Sequence, residues 1–128
     1  CNFAKNISNM NYDFIQAHCL AKRGAEEDYK QEWDAIRYAV HGKMFALVGN
    51  DGEGNPIISV KHDPEHGIEL REKYPDIVPG YYLNKMHWSS VFLNGNLPEE
   101  VLKQMLDKSY DLVFRSLSRK IQNEILNS

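Results

Sequence analysis

Cysteine is scarce in this chain, and long hydrophobic runs are missing from it. The 128 residues contain 2 cysteines, Cys1 and Cys19, too few for a disulfide framework, which favours a reducing compartment. No apolar run approaches the roughly 18 residues that indicate a membrane span. The opening residues, CNFAKNISNM, also lack the basic start and apolar centre of a secretory signal. We therefore expect a cytoplasmic protein that spans no membrane and is a monomer.

Positive charge is not in excess either. Asp and Glu number 18 against 15 Lys and Arg, for a formal net charge of −3. Duplex DNA draws much of its affinity for proteins from Lys and Arg that release counterions from its phosphates, so the overall charge counts against DNA binding. Local basic patches could still bind DNA. They comprise Arg37, His41 and Lys43, within a stretch free of carboxylates, and Lys108, Arg115, Arg119 and Lys120 on the last predicted helix.

Motifs of catalysis and metal binding are absent. The chain has no G-x-S-x-G, no Cys-x-x-Cys and no suggestive carboxylate pair. Residues 62–66, HDPEH, match the H-x-x-E-H pattern of some zinc peptidases. Proline belongs to the first helical turn, so Pro64 places His62 before the helix, and His62 and His66 cannot share a helical face. We expect no enzymatic activity, no bound metal and no cofactor.

The hydrophobic pattern predicts one α+β domain. A helix ends before Gly24, three strands lie near residues 35–41, 43–48 and 56–61, and Pro64 begins a second helix. Two more strands are predicted within residues 79–95, PGYYLNKMHWSSVFLNG. A helical tail follows from Pro98, with a break predicted near Ser109. The order is α-β(3)-α-β(2)-α, a five-stranded antiparallel sheet with helices mainly on one face.

Lys85 and His87 stand at the join of the two strands predicted in that stretch. If the strand is continuous, the two side chains lie on one face, with Met86 and Trp88 on the other. A solvated strand face is the simpler interpretation, and a partly buried His87 would donate a hydrogen bond to backbone. Lys43 and Lys61, each at the end of a strand, could join them to form a binding surface.

Three segments together resemble the MmcQ/YjbR family: HGKMFALVG, PGYYLNKMHWSSVFLNG and SYDLVFRSLSRK. The resemblance covers residues 11–122, which leaves residues 123–128 as the end of the last helix. We expect residues 1–10 to be an N-terminal extension that is incomplete or not native, with a native start at Met10 as the alternative. The resemblance implies a bacterial α+β protein, similar in shape to secretion chaperones and to double-wing domains of transcription factors. The family motif positions carried over are Lys43, Lys85, His87, Trp88, Ser109 and Tyr110.

The family's usual label implies a DNA-binding function. On that expectation, phosphate contacts come from Lys43, Lys85, His87, Arg37, Arg115 and Arg119. The alternative is a protein- or peptide-interaction module, which would use an exposed sheet face or edge. A continuous positive surface would favour the first function, and an apolar groove would favour the second.

Overall fold

The fold is known from a computed structural model that describes residues 12–80 and 83–127. The predicted N-terminal extension, residues 1–10, lies outside the described residues. So do Tyr81 and Tyr82, within the segment 79–95 in which two strands were predicted. The elements, in chain order, are α1 (Tyr12–Leu20), β1 (Ala25–Lys30), β2 (Ala35–Val40), β3 (Lys43–Asn50), β4 (Pro56–Lys61), α2 (Pro64–Lys73), β5 (Ile77–Pro79), β6 (Trp88–Phe92), α3 (Glu99–Ser116) and α4 (Arg119–Leu126).

The described strands form one antiparallel sheet in the order β1-β2-β3-β4-β6-β5. The α+β class and the antiparallel sheet are as predicted, but the sheet has six strands rather than five. The additional strand is β1, an acidic segment with the sequence AEEDYK. Glu and Asp are depleted in strands, so the residue pattern did not predict this strand. As an edge strand, β1 keeps most of its side chains in solvent.

The described helices cover one face of the sheet. The longest of them, α3, packs against β2, β3 and β4, and α1 packs against β1 and α3. The side chains between helices and sheet form the hydrophobic core, which includes the fully buried Ile15, Cys19, Tyr38, Phe45, Ile58, Val60 and Leu106. Because strand residues alternate between faces, their neighbours in sequence point to the other side. We call that side, away from the helices, the open face.

The break in the C-terminal helical region lies eight residues later than predicted. α3 continues through Ser109 to Ser116, and the chain leaves helical geometry at Leu117. Ser118 is the N-cap of α4, and its side chain accepts a hydrogen bond from the backbone N–H of Ile121 at 3.2 Å. Ser109 does not cap a helix because its hydroxyl bonds to the sheet instead.

Candidate functional site

Lys85 and His87 lie in a turn between β5 and β6, so the continuous strand on which their shared face depended is not present there. The turn spans residues 85–87. Asn84 holds it, because its side-chain oxygen accepts from the Met86 N–H at 2.9 Å and its carbonyl accepts from the Trp88 N–H at 2.9 Å. The Lys85 Nζ donates to the carbonyl of Gly80 at 2.6 Å. β6 begins at Trp88, so neither Lys85 nor His87 belongs to a strand.

The same turn is tied to the end of β4. The backbone N–H of His62 donates to the carbonyl of His87 at 2.8 Å, and Lys61 pairs with Trp88. Lys43 begins β3 at this end of the sheet, after a tight turn whose central residues His41 and Gly42 have φ of 50° and 77°. Such positive values are typical of a two-residue hairpin turn.

The register therefore gathers basic side chains at one end of the sheet. We call this the basic end, defined by His41, Lys43, Lys61, Lys85 and His87. Of these, Lys61 is half-buried and the others are exposed. Two carboxylates, Asp63 and Glu65, lie next to this end at the start of α2. The sequence suggested that Lys43, Lys61, Lys85 and His87 could share one face; in the structure they lie at one end of the sheet, on turns and strand ends.

The opposite end of the sheet is acidic. Its loops join β1 to β2 and β3 to β4 and lead into β5. We call this the acidic end, defined by Glu32, Asp34, Asp51, Glu53 and Asp76. The charged side chains are thus unevenly distributed, with basic residues at one end of the strands and acidic residues at the other.

The three arginines predicted as DNA contacts lie outside the turns and strand ends that define the basic end. Arg37 lies in the middle of β2, and its guanidinium donates to the Asp28 carboxylate at 3.1 and 2.7 Å. That hydrogen-bonded pair lowers the pKa of Asp28 and raises that of Arg37. Arg115 pairs with Asp111 along α3 at 3.2 Å, and Arg119 begins α4. None of the three lies on the turns that carry Lys43, Lys85 and His87.

The remaining family motif positions are part of the scaffold. Ser109 is fully buried, donates to the Phe45 carbonyl at 2.6 Å and accepts from the Lys61 N–H at 2.9 Å. Phe45 stands where the pairing of β2 with β3 shifts register, so this serine satisfies backbone groups at the irregularity. The Tyr110 ring packs on Phe45 at a centroid distance of 5.4 Å. Its hydroxyl donates to the Arg23 carbonyl, and burial raises its pKa.

A buried polar network around His62 was not predicted from the sequence. The His62 Nδ1 lies 2.9 Å from the Asp63 carbonyl, and its Nε2 lies 2.7 Å from the Ser89 hydroxyl. Arg71 donates to the same hydroxyl at 2.9 Å. The imidazole lies against Gly67 of α2, where no side chain intervenes. Burial, followed by the charges of Arg71 and His66, lowers the pKa of His62.

This network is closed off from solvent. A neutral His62 whose Nδ1–H donates to the Asp63 carbonyl can accept the Ser89 proton at Nε2, which superficially resembles a serine–histidine pair. However, Ser89 is 0 % exposed and His62 is 3 % exposed, so no substrate reaches the hydroxyl. The described part of the chain also holds no group of three or more side chains placed to bind a metal ion. In the chain, HDPEH connects the end of β4 to the first turn of α2.

A cavity of about 390 Å³ opens on the other side of the sheet, over β2, β3 and β4. Small residues form its floor: Ala35, Gly49 and Ser59. Trp33, from the β1–β2 loop, and Leu83, from the β5–β6 connection, also line it. No sequence motif indicated this cavity, because its floor comes from three strands whose register is not visible in the sequence.

These features define a single-domain α+β protein with a sheet covered by helices on one face. The family model described as YjbR matches residues 20–112. The uncharacterised protein YjbR of Escherichia coli K12 is 39% identical over 101 residues, which span 79% of this chain and 85% of that protein. YyaQ of Bacillus subtilis, also described as uncharacterised, is 30% identical over 111 residues, spanning 77% of this chain and 93% of its own.

A solved structure supports the same assignment. The crystal structure of Deinococcus radiodurans protein DR2400, assigned to the domain family DUF419, matches with a TM-score of 0.81 and 31% identity. The match covers 91% of this chain and 88% of that one. The chain therefore belongs to the YjbR family, as its resemblance to MmcQ/YjbR proteins indicated. None of the helices in the described ranges is long and apolar enough to cross a membrane.

Proposed function

We propose that this protein is a non-enzymatic module that binds duplex DNA through the basic end of its sheet. The observation that supports the proposal is the register, which brings Lys43, Lys61, Lys85 and His87 to one end while Glu32, Asp34, Asp51 and Glu53 lie at the other. Lysines held on turns can contact phosphates without reading base sequence.

The acidic end need not prevent such binding. β3 contains 8 residues, and at about 3.3 Å a residue the two ends of the strand are about 25 Å apart. The Debye length at physiological ionic strength is about 8 Å, so a phosphate at the basic end is screened from the carboxylates at the acidic end. The two closer carboxylates, Asp63 and Glu65, oppose binding and restrict contact to the turns that carry Lys43 and Lys85.

The arginines proposed from the sequence have a smaller part in this interface. Arg37 is already engaged by Asp28 on the open face, and a phosphate would have to displace that carboxylate. Arg115 and Arg119 lie on helices rather than on the turns of the basic end. A matched substitution of these two exposed arginines is therefore the natural control for a substitution at the basic end.

A salt titration with a fluorescently labelled random duplex tests the proposal. Fluorescence anisotropy at several salt concentrations gives the slope of log K against log[salt], which reports the number of phosphates contacted. Lys43→Gln with Lys85→Gln should lower the magnitude of that slope by about two units and weaken binding to all duplexes alike. Glu65→Gln should strengthen binding, because it removes a carboxylate beside the interface.

The control is Arg115→Gln with Arg119→Gln, which removes the same charge from the helices and should leave the slope nearly unchanged. Circular dichroism must show that each variant is folded. Absence of salt-dependent binding by the unaltered protein at about 50 mM salt would refute the proposal. Equal losses in both double variants would refute the assignment to the basic end.

Peptide binding at the sheet edge is the alternative function. Among the described strands β1 pairs only with β2, so the outer edge of its 6 residues is available for an added strand. The exposed carboxylate of Glu26 on this strand would favour a basic partner, whereas Asp28 is already paired with Arg37. Peptide capture that persists in the Lys43/Lys85 variant, with no duplex binding by any form, would favour this alternative.

A further inference from the structure

The cavity on the open face owes its shape to small residues in the middle of the sheet. Gly49 has no side chain, and a Cβ atom built there would lie 3.2 Å from the Ala35 Cβ. Leu47 and Ile57, its larger neighbours on β3 and β4, stand beside this depression. The cavity is therefore a feature of the strands themselves, with a floor that does not depend on a mobile loop.

Trp33 is the most prominent residue lining the cavity. Its side chain is 54 % exposed, an unusual state for tryptophan, and it lies in the short loop between β1 and β2. Leu83 lines the cavity from a different loop, between β5 and β6. An indole beside apolar side chains is suited to a flat apolar group and attracts a cation over its ring.

The polar groups of the cavity favour a positively charged ligand. The Ser59 hydroxyl is already bonded to the Ser90 hydroxyl at 2.6 Å, and the Asn50 side-chain oxygen accepts from the Gly52 N–H at 2.8 Å. Glu32 is the charged residue among the described lining residues, and it is exposed. It belongs to the acidic end, as do the neighbouring loop carboxylates defined above.

Basic residues do not offset these carboxylates within the cavity. Lys30 pairs with Ala35 at the end of β1 but is not among the lining residues. Arg37 is also on the open face, yet its guanidinium is held by Asp28. The charged side chain in the described lining is thus the Glu32 carboxylate, which complements a cation and disfavours an anion.

We propose that this cavity is a binding site for a small organic cation with a flat apolar body, such as an aromatic amine. Its volume lies within the range of about 300 to 1,000 Å³ that small-molecule sites occupy. It lies over central strands, away from both sheet edges, where an extended peptide has no free backbone groups to pair with. The site is separate from the basic end, and its occupancy does not depend on DNA binding.

Phenethylamine is a suitable probe, and 3-phenylpropionate is its anionic counterpart with the same ring. In ¹H–¹⁵N NMR spectra of the full chain, phenethylamine should shift the Trp33 indole N–H and the Gly49 amide in a saturable way. The expected Kd is on the order of 1 mM, given how few atoms the probe has. The anion should bind at least about tenfold more weakly, because Glu32 repels it.

Substitutions at the rim of the cavity test the contribution of the indole and the preference for a cation separately. Trp33→Ala should weaken phenethylamine binding about tenfold. Glu32→Gln should weaken it about fivefold and should reduce the difference in affinity between phenethylamine and 3-phenylpropionate. Glu53→Gln is the control, since it removes an exposed carboxylate at the same end of the sheet from outside the lining. It should change the Kd less than twofold, and well-dispersed spectra show whether each variant is folded.

Three results would overturn the proposal. The first is an absence of saturable shifts at the Trp33 and Gly49 resonances, and the second is equal binding of amine and carboxylate. The third is a shift of these resonances with protein concentration alone, which would assign the open face to a second copy of the chain. Saturable binding of the amine that is lost in Trp33→Ala and Glu32→Gln but kept in Glu53→Gln supports it.

Discussion

Replacing Gly67 by alanine should destabilise this protein, although the same change stabilises most helices. At an ordinary helical position Gly→Ala gains about 1 kcal/mol. At residue 67 a Cβ would lie under 3.0 Å from three atoms of the His62 ring, so the imidazole must move. Movement breaks its contacts with Ser89 and the Asp63 carbonyl, and each buried polar group left unpaired costs about 1 to 3 kcal/mol. We expect a net loss of about 2 kcal/mol or more.

Urea unfolding followed by circular dichroism at pH 7.5 measures this loss, provided that the slope m is unchanged. Glu69→Ala is the control, because residue 69 is exposed on the same helix and should change the free energy of unfolding by no more than about 0.5 kcal/mol. In a His62→Ala background the ring is gone, so adding Gly67→Ala should cost nothing further. A Gly67→Ala protein as stable as the unaltered chain would refute the reasoning.

Two further predictions concern the buried polar groups. His62 has a lowered pKa in the folded state because it is buried beside Arg71, so below about pH 6.5 the unfolded chain binds this proton more readily than the folded one. The free energy of unfolding should therefore fall as the pH is lowered from 6.5 to 5. His62→Gln should reduce the slope of that free energy against pH by up to about 1.4 kcal/mol per pH unit, measured by urea unfolding. An unchanged slope would contradict the assignment of this pH dependence to His62. Ser109→Ala leaves the Phe45 carbonyl and the Lys61 N–H without their shared partner, and thermal and urea unfolding should show a loss of about 2 to 4 kcal/mol. A loss within about 0.5 kcal/mol would show that other groups replace the hydroxyl.

The sequence predicted the parts of the fold in which pattern and environment agree. β2, β3 and β4 are rich in β-branched and aromatic residues, and their predicted and observed bounds differ by at most two residues. β1 was missed because an edge strand can consist largely of carboxylates, which no propensity scale favours. The helix break was misplaced because Ser109 and Ser118 are both plausible N-caps, and only the contact with the Phe45 carbonyl distinguishes them.

The candidate site was harder to predict than the fold. Lys43, Lys61, Lys85 and His87 lie at one end of the sheet, but the tight turn that places Lys85 and His87 there depends on hydrogen bonds to the carbonyl and side chain of Asn84. The ion pair that occupies Arg37 depends on cross-strand register, which places Asp28 opposite it. Side-chain partners of this kind follow from three-dimensional pairing, so composition alone overestimates how many cations are free to contact a ligand.

The burial of Cys19 makes its thiol a natural reporter of motion in α1. The side chain is 0 % exposed, and burial raises its pKa to about 12, so in the folded protein it reacts with thiol reagents only when α1 separates from the sheet. In a Cys1→Ser background, the labelling rate at increasing reagent concentration would give both the frequency and the free energy of that opening. The time course would show whether the first helix detaches by itself or only when the whole domain unfolds.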